Sequence, residues 1–478
     1  MEKILILNFG GKYSRIVARR VRECSVFSEI MPYTISAEEI NAEEYKGIIL
    51  VGDDDRDMPE SFDGEIFRLS LPMLGIGFGA RFITDALGGK SAPAARESGK
   101  VALVVDNTCS LFEDLISKTE CYINHERTIT RVPTGFRITA KTEKTPVAAA
   151  ENAARKLYAV AFHPELSETA QGIEVFKNFL YRICGCHTEW TPAAIVRKKT
   201  AELEELLGDR KVLLPLSGGV ASATAAMLTH KVIGDRLTCI IIDNGLMRKD
   251  ELAGIKAMFG DTHGLNIKTV SAEPRFFGKL IGITEPAAKR KIASEELARV
   301  FFEEAKKETG DHCVVLADFL PDGDKLSIPA FPSAEEELVF PLRDLFFDEV
   351  RAIAGELGLP EAFAARQHFP IEGLAAKVIG EVTEQKLSLL READAIFREE
   401  IINARIPIGG ALFFASLLDT KEPTFALRAV KSNDFGEHFS ARLPYELLER
   451  VSGRIKASIP NSHVVFDITD SPERAEWE

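Results

Sequence analysis

The sequence predicts an α/β protein, built as two successive α/β domains followed by a small α+β unit. Three observations carry this. Short apolar runs alternate with stretches of helical spacing as far as about Glu381. The alternation pauses near His187–Pro192 and then restarts. Beyond Glu381 it gives way to one helix and a mixed stretch. A length of 478 residues suits about three domains at roughly 150 residues each.

In the first segment Ile4–Asn8 is a short apolar strand and Tyr13–Glu23 has helical spacing. Lys46–Val51 is a second strand, followed by the acidic loop Gly52-Asp53-Asp54-Asp55. Leu71–Ile76 is a third, running through a glycine turn into a helix over Ala80–Leu87. Leu157–Phe162 reads as a strand and Gly172–Cys184 as a closing helix. The second segment opens with a helix over Ala193–Leu207, then a strand Lys211–Leu216 and a helix Ala221–His230. The strand Leu237–Ile242, the helix Glu251–Phe259, the strand Asn266–Val270, the charged helix Ala287–Glu308 and the strand Cys313–Ala317 complete it. The last segment ends in the strand Val464–Ile468. Sites in such sheets are expected at strand ends.

Composition narrows the functional classes. Lys and Arg number 59 against 73 Asp and Glu, a net charge of −14, which opposes nucleic-acid binding because displacing counterions needs a basic face. No apolar run is long enough to span a bilayer, and MEKILILNFGG lacks a signal-peptide core. These features predict a cytoplasmic protein with neither nucleic-acid nor membrane partners. The seven cysteines, at 24, 109, 121, 184, 186, 239 and 313, are odd in number and scattered, as expected of reduced thiols. Cys184-Gly185-Cys186 with His187 is too tight for a zinc knuckle, and no metal ligand set is predicted.

The most informative local motif is Ser217-Gly218-Gly219-Val220-Ala221-Ser222-Ala223, between an apolar strand and a helix. Two glycines let the backbone approach a ligand, and a helix N-terminus turns free N–H groups toward an anion. No Lys-Ser/Thr pair follows at Walker spacing. Taken locally, a plain glycine-rich turn explains the motif equally well.

The loop resembles the SGGxDS loop of ATP pyrophosphatases. Its surroundings are Ile242-Asp243-Asn244-Gly245-Leu246-Met247-Arg248, Lys289-Arg290-Lys291 and Ala365-Arg366-Gln367-His368-Phe369-Pro370. The tail adds Leu427-Arg428-Ala429-Val430, Ala441-Arg442-Leu443-Pro444-Tyr445 and Glu476-Trp477-Glu478. In that order these resemble GMP synthase of the glutamine-hydrolysing type. Asn8-Phe9-Gly10-Gly11-Lys12-Tyr13, Ala18–Glu23 and Phe162-His163-Pro164-Glu165 resemble its class I amidotransferase part. The resemblance implies an amidotransferase-like domain over 1–187, an ATP-pyrophosphatase domain of the adenine-nucleotide alpha-hydrolase type over 188–382, and a dimerisation domain over 383–478. It also implies the family reaction, in which ATP and magnesium adenylylate xanthosine monophosphate and ammonia from glutamine displaces AMP to give GMP. The partners implied are a purine nucleotide and a second copy of the chain. By the same resemblance Ser217–Ala223 and Asp243 bind ATP, and Arg290 and Glu476 hold the substrate nucleotide.

Several positions depart from the family pattern. The elbow G-x-C-x-G reads Gly75-Ile76-Gly77-Phe78-Gly79, so the nucleophile position is a glycine. His163 and Glu165 remain as a dyad with no thiol to activate. The neutral loop on the oxyanion side reads Val51-Gly52-Asp53-Asp54-Asp55, and Arg81 stands for a Gln. In the ATP loop, Ala221 replaces the Asp and Ala223 the last Ser. Asp318, Asp322 and Asp324 are acidic neighbours in a stretch that looks shortened, with glutamates at 335–337 beyond it. Pro370-Ile371-Glu372-Gly373 replaces a Pro-Gly-Pro-Gly turn, and Ser471 a Lys. The expectation is a family member without glutaminase activity and with an impaired ATP site. Two alternatives stay open: a nucleotide-binding pseudoenzyme with a regulatory role, and an ATP-dependent ligase for another substrate.

Overall fold

The computed structural model describes residues 1–53, 59, 61–309, 314–316, 337–367, 373–405, 412–434 and 437–470. It is an α/β structure with two compact units, Met1–Ala194 and Ile195–Glu478.

In the first unit the apolar strand Lys3–Asn8 pairs in parallel with Phe27–Pro32 on one side and Tyr45–Gly52 on the other. Met73–Gly77 and Leu157–Val160 extend the parallel part. Ala149–Asn152, Arg137–Lys141, Lys90–Val105 and Lys118–Arg131 then continue the sheet antiparallel. The predicted strands and the helix Tyr13–Glu23 are present, their ends moved by at most two residues. The helix expected over Ala80–Leu87 begins at Phe78, directly on the strand end. The closing helix is α-helical over Gly172–Lys177 and continues as a π-helical turn over Asn178–Ile183. Nothing in the periodicity announces the hairpin Lys90–Val105/Lys118–Arg131, because its outer positions are polar and exposed on both sides of Pro93 and Gly99. Phe9, Phe62, Phe67, Phe78 and Phe82 fill the core beneath the carboxyl end of the parallel strands.

The second unit has a parallel sheet in the order Ile267–Ser271, Leu237–Asp243, Val212–Pro215, Val314–Leu316, Glu337–Val339. The chain moves outward from Val212–Pro215 in one direction and returns to its other side, so this strand lies at the point where the order reverses. Ligands bind at such points in open α/β sheets. A further sheet holds Leu412–Leu418, Thr424–Ser432 and His438–Ser440, with His463–Asp467 parallel to Thr424–Ser432. Helices Glu384–Asn403 and Tyr445–Ser458 pack on it through Leu387, Leu390, Phe397, Leu447 and Val451. The same core takes in Leu246, Phe276 and Leu280, so the segment from 383 onward shares one apolar interior with the residues before it.

The six described cysteines are unpaired. Burial pushes the thiols of Cys24, Cys121, Cys186 and Cys239 up to about 12, leaving them protonated and unreactive at neutral pH.

An ion pair is buried in the second unit. Arg248 Nε is 3.1 Å from Asp394 Oδ2, and both side chains are 1% exposed. Removing one partner of such a pair costs about 3–5 kcal/mol, because the other charge stays buried. Asp394→Leu is therefore expected to lower stability by about that much in urea unfolding, and Arg248→Met with Asp394→Leu to recover most of it.

Candidate functional site

Two sets of predicted residues gather at strand ends, one in each unit. In the first unit Gly52 pairs with Gly77, and Ile76 with Val160, so Asp53, Phe78 and the segment leading to His163 all leave the same end of neighbouring parallel strands. Gly77 has φ +54 and ψ −111 and heads the helix Phe78–Ala86. That is the sharp strand-to-helix turn of a nucleophile elbow, a conformation costing a non-glycine residue about 1–3 kcal/mol. Phe78 anchors the turn, wholly buried among Phe9 and Phe82. Arg81 is itself buried, with its guanidinium 5.3 Å from the centre of the Phe78 ring.

His163 and Glu165, two apart in the turn that follows the strand Leu157–Val160, are both fully buried. Nδ1 of His163 is 2.7 Å from Glu165 Oε1, which fixes the ring and leaves Nε2 as the far nitrogen. Tyr13 stacks on the imidazole at 4.4 Å and 17°, and Thr169 donates to the His163 carbonyl at 2.6 Å. The Glu165 carboxylate thus holds the imidazole, while Gly77 carries no side chain.

Tyr13 also lines a cavity of about 550 Å³ with Lys12, Asp53, Arg96, Asn124, His125 and Glu126. Asp53 lies over Gly11, where an added Cβ would sit 1.9 Å from its Oδ1. Asp53 so places a carboxylate against Gly11 at the strand ends; Asp54 and Asp55 lie outside the described residues. Asn124, His125 and Glu126 went unnoticed in the sequence because they stand on the hairpin that has no periodic signal.

In the second unit the loop after Val212–Pro215 carries Ser217–Ala223. Gly218 has φ +79, and a Cβ there would meet Ile255 Cδ1 at 2.2 Å, so only glycine fits. Ser217 Oγ accepts from the Gly219 N–H at 3.3 Å and lies 2.8 Å from Ser222 Oγ. Gly219 caps the helix Val220–Ile233. The N–H groups of Val220, Ala221 and Ser222 therefore head the helix without acceptors within it. Arg366, tied to Glu251 by an ion pair, donates to the Gly218 carbonyl at 3.2 Å and steadies the loop from behind. Asp243 ends the adjacent strand, its Oδ1 accepting from the Gly245 N–H at 3.1 Å.

Ala221 presents a methyl where a carboxylate would hold a metal. Among the described residues no group of three or more His, Cys, Asp and Glu side chains converges as a metal set. Asp318, Asp322, Asp324, Ser471 and Glu476 lie outside the described residues, as do Pro370, Ile371 and Glu372. Arg290 stands on the helix Pro286–Thr309, next to Lys289.

Comparison with known proteins decides the family. The chain is 42% identical to GMP synthase [glutamine-hydrolyzing] of Clostridium botulinum over 507 aligned residues, covering 100% of this chain and 99% of that protein. The chain belongs to the GMP synthase family. The enzymes of the same name from Clostridium tetani and Clostridium acetobutylicum are 42% and 41% identical, again over 100% of this chain and 99% of each relative. The family model for glutamine amidotransferase class I matches residues 5–183, and that for the GMP synthase C terminal domain matches residues 419–477. Among the described residues no helix is long and apolar enough to cross a membrane.

Lys289 is fully buried and donates to the carbonyls of Val378 and Gly380, each at 2.6 Å. Burial, with the nearby charge of Lys386, lowers its pKa from 10.5 to about 8, against the pull of Glu285. The native state then sheds this proton at lower pH than the unfolded chain, so between about pH 8 and 10.5 the unfolded chain binds more protons and native stability rises. Wild type is expected to gain stability relative to Lys289→Met across that window, as read by urea unfolding at pH 7.5 and pH 10.

Proposed function

We propose that this GMP synthase-family chain has lost glutamine hydrolysis while keeping an adenine-nucleotide loop at Ser217–Ala223. The observation that carries this is Gly77: the elbow keeps its backbone turn and lacks a nucleophilic atom. His163 and Glu165 can hold and move a proton at Nε2, but no acyl-enzyme forms without a thiol. Asp53 adds a negative charge at the strand ends where an oxyanion would develop. If amination of xanthosine monophosphate persists, it draws on free ammonia.

In the second unit the helix N-terminus and the Gly218–Ala221 backbone would receive the phosphates of ATP, whose chemistry in the family is adenylylation of the substrate with release of pyrophosphate. Asp243 would face the adenosine side, and Arg290 and Glu476 the purine nucleotide substrate. With Ala221 in the loop, magnesium would arrive only as the complex ATP forms with it in solution. This weakening favours a second reading, a nucleotide-binding pseudoenzyme that acts through a partner. An alignment longer than the 478 residues of this chain supports the view that it lacks segments its relatives carry. The division at 187 and 382 into amidotransferase-like, ATP-pyrophosphatase and C-terminal parts, and a cytoplasmic location, belong to the same proposal.

The tests are direct. Wild type should release no glutamate from glutamine above a buffer blank. Gly77→Cys should restore little, since one thiol does not replace oxyanion stabilisation worth about 2.7–4 kcal/mol per donor. ATP should give measurable heat by calorimetry, and Gly219→Asp should abolish it. A Cβ at Gly219 meets nothing closer than Ser217 Oγ at 3.4 Å, so that variant changes charge without crowding. No heat at millimolar ATP would sink the nucleotide reading, and ATP turnover with ammonium separates an enzyme from a pseudoenzyme.

The C-terminal unit is proposed as a homodimer interface. Tyr445 and Ile468 are 71% and 74% exposed, and Val465 and Phe439 are partly so, the kind of apolar surface that self-association covers. Light scattering at micromolar concentration should give twice the chain mass, and Ile468→Asp should shift it toward monomer.

A further inference from the structure

The strand that ends at Asp243 runs into an irregular stretch, Asn244–Asp250, and this stretch is held by one turn of the helix Glu384–Asn403. Arg391 Nε donates to the Met247 carbonyl at 2.8 Å and its Nη2 to the Gly245 carbonyl at 2.5 Å. Three residues on, and so on the same helix face, Asp394 pairs with Arg248. Glu392 meets Lys249 at 2.7 Å, but that pair is exposed and contributes little.

Resting on the adenine-nucleotide reading above, we propose that Arg391 is a positioning residue for the nucleotide site, acting from the C-terminal segment. The link between Arg391 and Asp243 is the intervening backbone. Asp243 and Asn244 have their side chains set by Asx turns, Asp243 Oδ1 on the Gly245 N–H and Asn244 Oδ1 on the Leu246 N–H at 2.8 Å. The Gly245 carbonyl and the Leu246 N–H belong to one planar peptide group, so the guanidinium that holds this carbonyl also sets the N–H that Asn244 accepts from, while the Met247 carbonyl fixes the peptide that follows. Gly245 has φ +68 and so resists little on its own. One planar fork therefore fixes two peptide groups, which a lysine cannot do. The Arg391 charge also lies close enough to the Asp243 carboxylate to oppose the effect of burial on its own ionisation.

The experiment uses the full chain as wild type, Arg391→Met, Arg391→Lys and Glu392→Gln. Two readouts are taken: ATP affinity by calorimetry, and amide hydrogen exchange over 243–249 without nucleotide. Arg391→Met should weaken ATP binding about tenfold or more, the scale of losing hydrogen bonds to a charged donor, and speed exchange in that stretch. Arg391→Lys should recover part of both, and Glu392→Gln should alter neither. A merely structural role would shift melting temperature without this partial rescue of affinity. Unchanged affinity in Arg391→Met overturns the proposal, as does unchanged exchange over 243–249. No heat from wild type refutes the nucleotide reading and the proposal with it, whereas wild-type binding that survives Arg391→Met refutes only the role given to Arg391.

Discussion

The second unit depends on a charge pair that has no access to water. Arg248 and Asp394 sit in a core otherwise built of Leu246, Phe276, Leu390 and Phe397. Burial holds the Arg248 guanidinium down to about 10, with Asp394 pulling the other way. Neither charge is tolerable alone in that interior. The stretch after Asp243 and the helix Glu384–Asn403 must therefore meet in one register, because any slip buries an unpaired ion. An apolar contact would tolerate such a slip; an ion pair does not. The position of Asp243, at the end of the strand beside the glycine loop, is in this way tied to a helix that begins some 140 positions later in the chain.

The first unit shows the opposite relation between chemistry and fold. Its elbow is set by backbone dihedrals at Gly77 and by the packing of Phe78 on Phe9 and Phe82. None of these needs the thiol. A cysteine in that conformation carries strain, and a glycine carries none. The turn, the buried His163–Glu165 pair and the Tyr13 stack all stand with a glycine at 77.

How much of this was legible in the sequence follows from what each element asks of its residues. Ile4–Asn8 and Leu237–Ile242 are buried on both faces, so their apolar runs declare them. The helix Tyr13–Glu23 was readable to the residue from its buried Tyr13, Val17, Ala18 and Val21. The hairpin Lys90–Val105/Lys118–Arg131 was not, since its pairing is long-range and much of its surface meets water. Family likeness, carried by motifs at strand ends, was visible because those residues answer to chemistry and not to packing. Gly77 and Ala221 stand out as departures from the family pattern for the same reason. Arg391 had no such signal: its partners are backbone carbonyls, which leave no trace in side-chain identity.

Glycine at 77 and alanine at 221 are also cheap for folding. Gly77 relieves a strained turn. Ala221 sits in the first turn of the helix Val220–Ile233, where alanine has the highest helix propensity and forgoes only the 0.3–1 kcal/mol or so that an acidic side chain gains from the dipole. Active-site side chains commonly oppose stability, so their loss leaves the native state as stable or more so. Gly218 is different. Its φ of +79 and the Ile255 methyl beneath it forbid any side chain. Retention of the glycine loop is therefore demanded by packing whether or not a nucleotide binds, and the presence of Gly218 alone says nothing about ligand. Gly219 is under no such constraint: a side chain would fit there without a clash, and the fold uses the glycine as the N-cap of the helix Val220–Ile233, a position that glycine favours in its own right.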